Sequence, residues 1–191
     1  MTSDVGVGVG PSARQGSFET KRPASADVRS EAGPSYEFEP HNCFACGELN
    51  EHGLQLKLHL GERRSWTDFV LEDRFEGWVG VTHGGIIATI LDEVMAWALV
   101  AEDNWGVTAR ILIQFKKPIP VGTRVHGEGW VVRARRRLVD TAGQITDPDG
   151  TILATGEATY VAAPPERKRE LMAQYGVRIR NARMSGEGIS K

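Results

Sequence analysis

Between Ile86 and Val100 the chain carries apolar residues at 86, 87, 90, 91, 94, 95, 98 and 99, with no glycine or proline among them. That spacing keeps one face of a 3.6-residue turn dry and predicts a helix. Ala88 and Ala96 add small residues to the remaining faces, so the helix is expected to be buried on most sides, as the core of a domain. Thr82 stands where a capping hydroxyl is expected. Elsewhere the apolar period drops to two. Leu54–Leu60 and Trp66–Leu71 alternate before the helix, and Val107–Lys116, Thr123–Arg137, Leu138–Thr146 and Thr151–Val161 follow it. Gly127–Gly129 is a candidate break within the second of these later strands, and Asp147-Pro148-Asp149-Gly150 reads as a tight turn. Strands on both sides of one long apolar helix predict an α+β domain with an antiparallel sheet curled around it.

This domain is expected over residues 36–163. The opening, residues 1–35, is rich in Gly, Ser and Pro and reads as a disordered tail. Residues 164–191 read as a peripheral charged tail, with a short helix over Glu166–Tyr175.

Composition narrows the partners. The chain has 191 residues and a formal charge of −2, so no basic field points to nucleic acid. The apolar helix is too short, and too acidic at its middle, to cross a bilayer; no membrane partner is expected. No charged-then-apolar leader pattern is seen, and the two cysteines suit a reducing cytoplasm. Cys43 and Cys46 have the spacing of half a zinc knuckle, with His41 and His52 nearby. A structural zinc site usually draws on two such pairs. With no second pair present, the cysteines are read as small buried residues in a turn, and neither metal nor cofactor is expected.

Two features of the helix suggest chemistry. Gly84 and Gly85 begin it, where unpaired N–H groups and the positive dipole end favour negative charge. Asp92 and Glu93 interrupt its apolar run, and a buried carboxylate is costly unless paired or used. By themselves these features are better read as a glycine-rich helix start and an acid satisfied by a neighbouring arginine or backbone donor.

The order of separated blocks adds more. Cys43-Phe44-Ala45-Cys46-Gly47 with Gly53-Leu54, His83-Gly84-Gly85 followed by Asp92, Phe115-Lys116-Lys117-Pro118-Ile119-Pro120-Val121-Gly122, and Asp147–Gly150 with Leu153-Ala154-Thr155-Gly156 together resemble the hotdog fold, in particular the PaaI-type acyl-CoA thioesterases. The resemblance spans residues 41–162. It implies an acyl-CoA substrate, with Asp92 as general base or nucleophile and Gly84 and Gly85 as backbone donors to the thioester carbonyl. It also implies that His83 orders the loop before the helix and that Thr108 helps position water. Some relatives carry Asn or Gln in that loop, where this chain has Glu76 and Gly77. Glu93, about 100° further round the helix, is expected to be paired or peripheral.

Helix geometry bears on assembly. Gly84 and Asp92 lie about 12 Å apart along one helix, so one subunit's Asp92 cannot reach a carbonyl held at its own Gly84. Two antiparallel helices about a two-fold axis would bring them together, and a homodimer or dimer of dimers is expected. Arg133, Arg135, Arg136 and Arg137 form a basic cluster that reads either as a charged strand edge or as a grip on coenzyme A phosphates. Trp97 and Met95 are core residues by pattern and candidates to line an acyl pocket, with Phe75 and Trp78 near it. The competing functions are a non-catalytic acyl-CoA-binding sensor or scaffold, and a hydratase on the same fold.

Overall fold

The structure, a computed structural model, describes residues 35–180; the remaining residues, including nearly all of the expected N-terminal tail, lie outside those described. In chain order the elements are β1 (Ser35–Glu37), β2 (His59–Gly61), β3 (Arg64–Val70), β4 (Glu76–Trp78), β5 (Val81–Thr82), α1 (Gly84–Ala101), β6 (Gly106–Phe115), β7 (Arg124–Arg135), β8 (Leu138–Thr146), β9 (Ile152–Ala162), α2 (Pro165–Gln174) and β10 (Arg178–Arg180). Six strands pair in the order β2-β3-β7-β8-β9-β6, every pair antiparallel. α1 lies across this sheet, against β7, β3, β8, β6 and β9. This is the α+β hotdog arrangement that the order of blocks implied.

The helix is seated by glycines. Gly129, Gly143 and Gly156 are register partners across β7, β8 and β9. A Cβ at Gly129 would come within 2.5 Å of the Val94 carbonyl oxygen, and one at Gly143 or Gly156 within 3.0 Å of the Met95 side chain. Three missing side chains in a row let the helix backbone approach the sheet closely. From β3, the Ser65 hydroxyl donates to the Val94 carbonyl. The candidate break at Gly127–Gly129 is therefore part of one continuous strand, where glycine makes room rather than a bend.

Burial on α1 is one-sided. Ile87, Ile90, Leu91, Val94, Met95, Ala98 and Leu99 are buried in an i, i+3, i+4 stripe, while Gly84 and Gly85 are exposed and Asp92, Glu93 and Ala96 only half-covered. The expectation of burial on most sides thus fails for this chain alone. Beside the open flank runs β6, an edge strand whose Val107, Leu112 and Phe115 are 70%, 42% and 57% exposed.

Other boundaries also shift. Residues 54–58 are not a sheet strand: Gln55 has φ 50°, and the N–H groups of Leu54 and Leu56 donate to Phe44 and Ala45 carbonyls, holding the N-terminal loop instead. The tail is not peripheral either. β10 pairs with β1, the Glu39 N–H donates to the Tyr175 carbonyl at 3.0 Å, and Lys168 Nζ meets the Asp103 carboxylate at 2.6 Å. Local apolar periodicity is weak in a helix held by such contacts, which is why its docking was not legible.

Candidate active site

The start of α1 is built by His83. Its backbone is extended (φ −63°, ψ 131°), and its ring Nδ1 accepts the Gly85 N–H at 2.9 Å, so His83, not Thr82, is the cap. Thr82 is instead buried at the end of β5, its N–H donating to the Ile119 carbonyl at 2.8 Å. A Cβ on Gly85 would stand 2.9 Å from the capping nitrogen, so glycine lets the ring fold over the helix end. Accepting at Nδ1 places the neutral ring's proton on Nε2. The His83 N–H donates to the Phe75 carbonyl at 2.8 Å, tying helix start to loop. Gly77 packs against His83, where a Cβ would lie 2.9 Å from its Cα, and the Glu76 carboxylate turns away to accept the Gly80 N–H. Gly85 therefore has its donor occupied. The Gly84 N–H is not engaged by any described residue; Gly84 is exposed, with the Phe115 ring 3.4 Å from where its Cβ would stand.

Two turns along, Asp92 is held by two hydroxyls. Thr108 Oγ1 donates to Asp92 Oδ1 at 2.9 Å, and Tyr160 OH reaches the same oxygen at 2.8 Å and the Asp92 carbonyl at 2.9 Å. Thr108 and Tyr160 are register partners on β6 and β9, just before a bulge between Thr108 and Arg110. A cross-strand pair sets its side chains next to each other on one face, and here that face meets the helix. Burial, and next the Asp92 charge, push the Tyr160 hydroxyl well above the ordinary tyrosine range, so it stays protonated and donates. With both hydroxyls on Oδ1, Asp92 Oδ2 has no partner among the described residues and sits on the open flank. This arrangement fixes a carboxylate through one oxygen and leaves the other for a ligand.

Tyr160 was missed by sequence reading. Its only signal is phase: Ala154, Gly156, Ala158, Tyr160 and Ala162 are the buried members of the alternation along β9, and a lone hydroxyl-bearing aromatic among such small residues would be expected to find a polar partner.

The other candidates are dispersed. Met95 is fully buried against Gly143 and Gly156, in the core rather than in a pocket. Trp97 donates from Nε1 to Glu93 Oε1 at 2.8 Å and meets Phe38 edge-on at 4.7 Å, so both tryptophan contacts lie off the Asp92 flank. Phe75 is buried against Phe69, with ring centroids 5.8 Å apart, and Trp78 is 85% exposed. Arg133 is paired with Asp140 across the β7–β8 hairpin at 2.6 Å. Arg135 and Arg136 are exposed at its tip. That tip is close to the carboxylate: Arg137 Nε donates to the Ala162 carbonyl, two residues, or about 7 Å of strand, beyond Tyr160.

Residues 79–154 match the sequence profile of the Thioesterase superfamily. The acyl-coenzyme A thioesterase THEM4 of Xenopus laevis is 37% identical over 98 residues, covering 51% of this chain and 44% of that protein. The chain thus matches less than half the length of that relative. Among solved structures, protein RHA08564, a thioesterase superfamily protein, superposes with a TM-score of 0.60 at 25% identity, over 63% of this chain and 60% of its own. The protein smu.793 of Streptococcus mutans, solved bound to acetyl CoA, superposes with a TM-score of 0.55 at 18% identity, over 61% and 97%. The sheet and its central helix are those of the hotdog fold, and these matches make the domain similar to the thioesterase superfamily.

Proposed function

We propose that this domain hydrolyses the thioester of an acyl- or aryl-CoA, at two sites shared across a homodimer. The observation that carries this reading is the half-anchored carboxylate: Asp92 is gripped at Oδ1 by Thr108 and Tyr160 and open at Oδ2. The exposed helix start supplies the second half of the chemistry. A thioester carbonyl oxygen resting on the Gly84 N–H gains a donor that needs no reorganisation as negative charge develops. Asp92 Oδ2 takes a proton from water as its oxygen attacks the carbonyl carbon, or attacks that carbon itself. The C–S bond then breaks, and the CoA thiolate accepts a proton; on the second route the acyl group is left as an anhydride on Asp92, which water hydrolyses to the free acid and the restored carboxylate. A thiol ionises near pH 8.5, so the leaving group needs no strong acid.

The two halves lie about 12 Å apart on one helix, which supports assembly. The flank that carries both is uncovered in a single chain, and it borders an edge strand with exposed apolar residues. A second copy about a two-fold axis would cover that flank and bring Gly84 of one subunit to Asp92 of the other. Two such dimers pairing further is compatible with the same reading. The superfamily match and the THEM4 likeness support the reaction class, and the acetyl CoA in the smu.793 structure supports the ligand. Arg135 and Arg136, exposed near the Tyr160 end, are suited to the CoA phosphates. The cytoplasm is the compartment proposed.

Release of free CoA from short, medium, long and aryl acyl-CoAs tests the proposal, comparing the wild type with Asp92→Asn. Turnover on at least one substrate that collapses in the variant, with the dimer intact by light scattering, is the expected result. Tight binding of acyl-CoA without release on any substrate would overturn it in favour of a sensor or scaffold.

A further inference from the structure

The N-terminal loop and the middle of α1 meet in a cluster that the hydrolytic reading does not use. Cys43, Cys46 and Glu93 each offer one ligand atom, and the three atoms all lie within 4.8 Å of one another. We propose that Cys43, Cys46 and Glu93 bind a thiophilic divalent cation such as Zn²⁺, which fastens the N-terminal loop to the catalytic helix.

The loop is shaped for this. The Gly47 N–H donates to the Cys43 carbonyl at 2.9 Å, closing a tight turn. A Cβ at Gly47 would stand 2.4 Å from the Cys43 nitrogen and from the His41 carbonyl oxygen, so only glycine lets the turn close this far. The Cys43 sulfur is approached by the Cys46 thiol and by the Cys46 and Ala45 amides. A turn that folds its thiol and N–H groups onto one sulfur is preorganised for a metal. In a tetrahedral zinc centre, Zn–S bonds of about 2.3 Å put two sulfurs roughly 3.8 Å apart. The present cluster needs to contract by about 1 Å at most to reach that spacing.

The third ligand is what the sequence could not offer. It comes not from a second cysteine pair but from α1, 47 residues after Cys46. Glu93 is half-buried in the middle of the helix. Besides the cysteines it meets Trp97, whose Nε1 donates to Glu93 Oε1 at 2.8 Å, and no lysine or arginine pairs with it among the described residues. Two thiols and a half-buried carboxyl with no cationic partner among the described residues form a donor set that a dipositive ion would satisfy. A disulfide would satisfy only the sulfurs and leave the carboxyl as it is. The expectation that the cysteines are merely buried small residues is corrected in one respect: both are half-exposed and free. The fourth position opens towards a cavity lined by Phe38, His41, Trp97, Trp105 and Tyr175, where water can complete the shell. His52, on an exposed turn, takes no part.

Cobalt titration of the full chain, reduced with a phosphine and stripped with a chelator, tests the proposal directly. The expected result is one Co²⁺ per chain, with thiolate-to-cobalt absorption and tetrahedral visible bands, both removed by added Zn²⁺. Cys43→Ser and Cys46→Ser each abolish the charge-transfer band. Glu93→Gln, a near-isosteric change, keeps sulfur absorption but weakens Zn²⁺ binding by at least the ~10–100-fold that loss of an outer-shell partner costs. Should the cysteine variants fold poorly, the thermal shift of the wild type on adding Zn²⁺, compared with Glu93→Gln, provides the same decision. Absence of thiolate-to-cobalt absorption in the reduced wild type overturns the proposal. So does loss of two thiols and two mass units on treatment with oxidised glutathione in a protein that takes up no cobalt, which would make the pair a disulfide switch.

Discussion

Replacing Tyr160 with phenylalanine removes one oxygen and leaves the core otherwise filled. Tyr160 is 1% exposed, and its hydroxyl donates to Asp92 Oδ1 at 2.8 Å. A hydrogen bond to a charged acceptor contributes about 1.5–3 kcal/mol, and the ring itself stays packed, so the folded state should lose an amount in that range. The consequence for turnover is larger than for binding. With Thr108 as its only remaining anchor, the carboxylate can rotate, and Oδ2 spends less time aligned on water or carbonyl. A loss of about 1.4–2.8 kcal/mol of transition-state stabilisation lowers kcat by roughly 10–100-fold. KM should move less than about twofold, because the hydroxyl touches no part of the substrate. Thr108→Val removes the other anchor on the same oxygen, so the two effects are coupled and the double variant should lose less than the product of the single losses. Steady-state CoA release with a thiol reagent, alongside urea unfolding, reads all four proteins. An unchanged kcat in Tyr160→Phe despite lower stability would refute the reasoning and leave Tyr160 a packing residue. Strictly multiplicative losses would refute the shared anchor.

Gly129→Ala should be among the most damaging single-methyl changes, since its Cβ would meet backbone atoms of Val94 and Met95 at 2.5–2.6 Å; a loss of about 3 kcal/mol or more is expected in urea unfolding. Gly150→Ala, at φ 80° with nothing within 4 Å, should cost only about 1 kcal/mol through backbone strain. Glu93 gives a pH signature in chelator-treated protein. Its carboxyl sits near 7 against an ordinary 4.5. Below pH ~4 both folded and unfolded chains hold the proton and the group costs nothing; between there and about 7 only the unfolded chain ionises, and stability falls by on the order of 3 kcal/mol in total. Cys43, held down to about 5, acts with the opposite sign, so the quantity to follow is the difference between Glu93→Gln and wild type, which should grow in the variant's favour from pH 4.5 to 7. A charge at the exposed edge, Ile111→Asp, should give monomers in sedimentation and abolish CoA release with the fold retained.

What was legible in the sequence follows from range. The Ile86–Val100 helix and the later strands are local patterns of 3.6 and 2 residues, and α1 and β6–β9 arise within two residues of where those patterns run. Asp92, Gly84 and Thr108 were reachable because the order of blocks resembled a known family; periodicity alone would have left Asp92 a satisfied acid. Tyr160 and the cap on His83 were not reachable in that way. Tyr160 matters because β6 and β9, whose first residues Gly106 and Ile152 are 46 positions apart in the chain, align in one particular register. His83 caps because Gly85 has no Cβ to obstruct the ring, a fact about volume rather than pattern. Gln55 ended a cleanly alternating strand through one positive φ, which alternation does not record.

Asp92 and Glu93 show how one helix can serve two purposes. Consecutive residues point about 100° apart, so the first carboxylate faces the β6–β9 hydroxyls and the second faces the N-terminal loop. Each is met by donors from a different part of the chain: Thr108 and Tyr160 on one side, Cys46 and Trp97 on the other. Between them, the glycine row of the sheet holds the helix from beneath. The free oxygen of Asp92 is therefore positioned by a helix restrained on three sides, and only the fourth is open. That fourth side carries Oδ2 and the Gly84 N–H, and it is the side a second copy would have to cover. An exposed polar pair in the middle of an uncovered apolar flank makes little sense for a lone chain; in a two-fold pair the same flank becomes a dry, two-sided cleft where both groups can act on one carbonyl.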